Sequence, residues 1–119
     1  MTWNLLEPSV APAAAEAAAA GWTILIKEAL ANGRLAPGGA AAPLAPVAAL
    51  AGARNVTADA IAIAAALANP WASVVLSGAV TPRQLQANLA ALAVGDLPDL
   101  DLAEPAGAYW ASRAARPWH

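Results

Sequence analysis

The chain has 119 residues, enough for one modest domain, with a formal net charge of −2, no cysteine and a single histidine. Six basic residues scattered along the sequence form no cationic stripe, which argues against nucleic acid as a partner, and the lack of cysteine excludes disulfides, thiolate catalysis and cysteine-type zinc sites. The 60% hydrophobic content overstates the core, because alanine makes up about a third of the chain, phenylalanine is absent, and five tryptophans (Trp3, Trp22, Trp71, Trp110, Trp118) carry much of the apolar bulk.

In chain order the sequence alternates short apolar strands with Ala-rich helices, the βα pattern of a parallel sheet. Thr2 to Leu6 reads as the first strand and ends at Glu7-Pro8-Ser9. Pro12 to Ala20 follows as a helix that stops at Gly21, the usual C-terminal stop. Trp22 to Lys27 is the second strand, Glu28 to Leu35 a loop or a turn of helix, and Ala36 to Pro43 a Gly- and Pro-rich loop. Leu44 to Ala53 and Thr57 to Ala68 read as helices, the second with Thr57 as its N-cap and Asp59 favourably placed in its first turn. Asn69-Pro70 closes it.

The third strand, Ser73 to Ser77, is Val-rich and reads as a parallel strand buried on both faces, broken at Gly78. Thr81-Pro82-Arg83-Gln84 then spells a capping box with Pro at the first helical position, so a helix is expected over Pro82 to Leu92. A helix N-terminus at the carboxyl end of a strand is where phosphates bind in α/β sheets and barrels, and Arg83 adds a fork of donors. Gly78, Thr81, Arg83 and Gln84 therefore mark a candidate anion site, against the plain alternative that most capped helix N-termini bind no phosphate. The tail, rich in Asp, Pro and Leu, ends in a stretch with Tyr109, Trp110 and Trp118 that reads as helical or irregular.

The uncharged run from Ala60 to Pro82 is long enough to span a bilayer, but Asn69-Pro70 and Gly78 interrupt it, and a buried helix followed by a buried strand accounts for it better. The N-terminus has no basic region and carries Glu7, so no signal peptide is read and a cytoplasmic location is expected by default. His119 reads as a solvated chain end, so no metal site is expected.

Three segments together carry a family resemblance: Trp3-Asn-Leu-Leu-Glu-Pro-Ser9, Gly21-Trp-Thr-Ile-Leu-Ile-Lys-Glu-Ala-Leu-Ala-Asn-Gly-Arg-Leu35 and Ser77-Gly-Ala-Val-Thr-Pro-Arg-Gln-Leu-Gln-Ala-Asn-Leu89, with Asn69-Pro70-Trp71 leading into the last strand. The chain resembles the C-terminal part of an aldo/keto reductase. The resemblance implies an α/β fold made of about the last three βα units of a (β/α)8 TIM barrel, with parallel strands and Ala-rich helices. Residues 1–119 would form one partial-barrel domain, with a C-terminal tail at 103–119. It also implies NADPH as cofactor and carbonyl reduction by hydride transfer, with the adenosine and its 2′-phosphate held at positions that match Val80, Arg83, Gln84 and Asn88.

The sequence departs from the family at several of these positions. Lys27 stands where many members stack an aromatic ring on the nicotinamide, and with Glu28 it reads as a structural ion pair or a pocket lining. Val80 and Ala87 lack the polar groups found there in parts of the family. The family's Asp, Tyr, Lys and His tetrad lies on early strands that would precede Met1, and neither Tyr109 nor His119 matches a tetrad position. No catalytic residue is therefore assigned, and the isolated chain is expected to be inactive without a proton donor. Bare sheet edges point to two further partners: a complementary N-terminal barrel portion, or a second copy in a non-catalytic binding module.

Overall fold

The helix α3 (Ala58–Leu67) is the organising element of the computed structural model, which describes residues 1–37 and 44–117. Its sequence is apolar on all sides, and seven apolar residues from Ala58 to Ala66, together with Asp59, are buried. A helix apolar all round has to be surrounded. Alanine side chains let neighbours approach closely, and α3 packs against α2 (Ala45–Arg54), α4 (Pro82–Leu89), the 3₁₀ helix Ala90–Ala93 and the strand β2 (Val74–Val75).

The strand β1 (Leu25–Ile26) pairs in parallel with β2, Leu25 opposite Val74 and Ile26 opposite Val75. Further bonds extend the pairing beyond these ranges, from the Ser73 and Val74 amides to the Ile24 carbonyl and from Leu76 N to Ile26 O (2.9 Å). The chain start lies along the other edge of β1: Lys27 N donates to Met1 O (2.9 Å), and Thr2 and Lys27 form a parallel bridge. Three parallel segments thus lie side by side in sequence order, and the fold is mixed α/β.

The first predicted strand is shorter than the sequence pattern suggested. Pairing with the β1 segment stops at Trp3, because Asn4 turns the chain: its Oδ1 accepts from the Leu6 and Glu7 amides (both 3.0 Å). Such a side-chain turn gives the backbone an alternative to the ladder. Helix α1 (Ala11–Ala19) begins one residue before the expected Pro12 and ends where predicted, with Gly21 at φ +92° and paired bonds from the Gly21 and Trp22 amides to Ala18 and Ala17. The helices expected over 44–53, 57–68 and 82–92 fall within about one residue of the patterns, except that the last tightens into the 3₁₀ turn from Ala90. Residues 38–43 of the predicted loop, and Trp118 and His119, lie outside the described residues.

The sheet face is the main departure from the sequence reading. Ile24 and Ile26 are buried against the helices, but Leu25, Val74 and Leu76 on the opposite face are 46%, 44% and 48% exposed. The third strand is therefore covered on one face only, because no element among the described residues packs against the other. The tryptophans also contribute less core than composition suggests. Trp3 is buried with its ring edge-to-face on Trp71 (6.4 Å), whereas Trp22 and Trp110 are exposed, and the largest fully buried side chains are Tyr109, Leu6, Ile26, Leu35 and Ile61. No single helix among the described residues is long and apolar enough to cross a membrane; α2 and α3 reach that composition only together and meet at 94°.

Candidate functional site

An open cleft of about 840 Å³ lies where the two strands end. One side comes from the loop after β1, with Lys27, Glu28, Leu30, Asn32 and Gly33, and the other from the loop after β2 and the first turns of α4. Thr57 and Asp59, from the start of α3, complete the lining. The carboxyl end of a parallel strand pair is where α/β proteins leave such a crevice, because the connections diverge there.

All six residues singled out from the sequence (Gly78, Val80, Thr81, Arg83, Gln84 and Asn88) line this cleft. They do not contribute alike. Gly78 has φ +67°, which turns the chain out of β2, and the Ala79 amide is held by Ser77 Oγ (3.1 Å). Val80 is 85% exposed and offers only apolar surface.

The capping box closes as its sequence predicts, with Thr81 Oγ1 accepting from Gln84 N (3.1 Å) and Gln84 Oε1 accepting from Thr81 N (3.2 Å) and Val80 N (2.9 Å). This has a chemical consequence for anion binding. Three amides that would face a phosphate are already occupied, and Pro82 has none, so the first turn keeps the Arg83 N–H for an external acceptor. The Arg83 guanidinium beside it is exposed and makes no hydrogen bond among the described residues.

Asn88 lines the cleft at its base and is itself buried. In the orientation that gives its nitrogen acceptors and its oxygen a donor, the amide donates to Asp59 Oδ2 (2.5 Å) and the Gln84 carbonyl (3.2 Å) and accepts from Ser77 Oγ (3.1 Å). Asp59 is only 5% exposed, and its other oxygen, Oδ1, has no partner. Sequence reasoning placed Asp59 as a dipole partner of its own helix; what marks it further is that it is the last charge before an uncharged run that extends to Pro82.

Glu28 does not pair with Lys27. Its Oε1 accepts from Arg113 Nη2 (2.8 Å) on the C-terminal helix α5 (Ala106–Ala114), and its Oε2 from Asn32 Nδ2 (3.2 Å). The Arg113 hydrogen bond is the main cause that holds the Glu28 carboxyl below the usual range, against partial burial. Lys27 is exposed and lines the cleft.

Tyr109, the sole tyrosine, is outside the cleft. It is 2% exposed, its hydroxyl accepts from Asn4 Nδ2 (3.0 Å), and burial raises its pKa. No group of three or more metal-ligating side chains occurs among the described residues. The cleft thus brings together two exposed cations, Lys27 and Arg83, several hydroxyls, the Glu28 carboxylate and the buried Asp59. No protein-family model matches the chain, and no curated protein matches it.

Proposed function

We propose that the chain is the cofactor-holding portion of an NADPH-dependent carbonyl reductase of the aldo/keto reductase kind, built as the last βα units of a (β/α)8 barrel and working in the cytoplasm. The observation that carries this reading is the cleft itself: a crevice of about 840 Å³ at the carboxyl ends of parallel strands, with a free arginine fork and a helix N-terminus on one side. Arg83, through its guanidinium and its amide, would hold the 2′-phosphate, with the Thr81 turn and Gly78 allowing close approach. Gln84 and Asn88 serve this site from within, Gln84 by closing the cap and Asn88 by fixing α4 to Ser77 and Asp59. When bound, NADPH supplies the hydride.

The proton donor is a separate matter. The buried Tyr109 hydroxyl lies away from the cleft, and burial keeps it protonated well above neutrality. The reading therefore assigns acid catalysis to a complementary N-terminal barrel portion, and to this chain only cofactor binding.

Titration calorimetry with NADPH, using NADH as control, tests the reading. The expected result is saturable binding that prefers NADPH, and Arg83→Ala should weaken NADPH by roughly tenfold while leaving NADH unchanged. Arg83 is the informative position, because Gln84→Ala would also open the capping box. Equal loss for both cofactors would remove 2′-phosphate recognition from α4.

A second reading is favoured by the bare sheet face of Leu25, Val74 and Leu76. Parallel sheets are ordinarily covered on both faces, so this face is suited to a second polypeptide, and a non-catalytic module that pairs with its own copy would cover it.

A further inference from the structure

We propose that the C-terminal segment from Glu104 to Arg116 is a strap that fixes the β1 side of the cleft in a strained conformation, with Arg113 and Arg116 as positioning residues. Their effect on cofactor affinity rests on the NADPH reading above. The strain is local: Glu28, Ala31 and Asn32 have φ values of +59°, +49° and +55°, and Gly33 follows at +88°. Asparagine tolerates this left-handed region, but for Glu28 and Ala31 it is unfavourable and persists only where surrounding contacts enforce it. Glu28, Asn32 and Gly33 are cleft residues.

The enforcing contacts come from far along the chain. Arg113 Nη2 donates to Glu28 Oε1 (2.8 Å), Arg116 Nη1 donates to the Asn32 carbonyl (2.9 Å), and Arg34 forks onto the Glu104 carboxylate with both terminal nitrogens. A fourth link passes through Asn4, whose Nδ2 donates to both the Glu28 carbonyl and the Tyr109 hydroxyl (3.0 Å each). Three charge-assisted contacts, spanning 70 to 85 residues of sequence, thus grip the loop at its start, middle and end. Tyr109 is buried beneath the same loop, in a small crevice it shares with Ala31, Asn32 and Arg34. The tail accordingly underpins the side of the cleft that Lys27 and Glu28 form and does not close over its mouth.

Hydrogen exchange on the full chain, paired with NADPH titration, tests the strap. In Arg113→Ala/Arg116→Ala, the amides of Ala31, Gly33 and Leu35, bonded within the loop, should exchange at least tenfold faster while those of α3 stay unchanged. The NADPH dissociation constant should rise about fivefold or more, and Arg113→Lys, which keeps a cation on Glu28, should restore most of both. Unchanged loop exchange, equal acceleration in α3, or faster loop exchange with unaltered affinity would each overturn the proposal. If the parent chain binds no NADPH, the nucleotide reading fails, and the strap stands or falls on the exchange alone.

Discussion

Asn88 and Asp59 show how much a single buried pair can decide. The Asn88 amide is the partner of the Asp59 carboxylate, whose other oxygen is already unsatisfied, and it also ties α4 to Ser77 at the end of β2. Asn88→Ala should therefore destabilise the fold by about 3 kcal/mol, because it leaves a buried carboxylate with no hydrogen bond at all. Removing both groups in Asn88→Ala/Asp59→Ala should cost clearly less than the sum of the single changes, since the stranded charge goes with its partner. Urea unfolding of the two single variants and the double variant measures this; additive effects would mean that the pair is not coupled. The sequence placed Asn88 at the site and Asp59 on a helix, but not the two together, because their contact joins residues 29 apart across the α3–α4 packing.

At the scale of elements, what was legible in the sequence was local. The capping box of α4, the Gly21 stop of α1 and the bounds of α2 and α3 each depend on residues within a few positions of one another, and the structure holds them with little change. The Lys27–Glu28 ion pair failed as a reading because adjacent residues offered the nearest opposite charge, whereas the actual partner, Arg113, arrives with α5. That docking makes stability depend on pH. Glu28 and Glu104 both have carboxyl pKa values lowered in the folded chain, first by Arg113 and Arg34 respectively. Arg113 and Lys27 are the charges that lower Glu28 further, with Asn32 and Arg113 as its hydrogen-bond donors and Tyr109 on α5 near enough to feel its charge. A lowered folded-state pKa contributes stability that is present above the unfolded value, about 4.3 for glutamate, and is lost as pH falls through the folded value. The urea midpoint should therefore drop between pH 6 and pH 3, and Arg113→Ala should flatten that drop. An equally steep drop in the variant would place the acid sensitivity elsewhere.

At the scale of the whole molecule the sheet is covered on one face only among the described residues. Alternation along β1 and β2 sends Ile24 and Ile26 into the helical layer, and the same alternation leaves Leu25, Val74 and Leu76 exposed beside the edge of β2 that no strand pairs among the described residues. Their sequence could not distinguish a strand buried on both faces from one covered on a single face, since both read as short Val- and Leu-rich runs. Exposed apolar surface next to a free parallel edge favours association. The net charge of −2 offers little electrostatic opposition to it. Light scattering after size exclusion should therefore show a mass that rises with concentration, and Leu76→Lys, which places a charge on that face without touching the helical layer, should return the chain to a monomer. A complementary polypeptide carrying further parallel strands should compete for the same face, lowering self-association as it is added while leaving the Leu76→Lys chain unaffected. If the parent chain stays monomeric over a hundredfold range of concentration, the bare face does not pair with itself, and the second reading loses the observation that favours it.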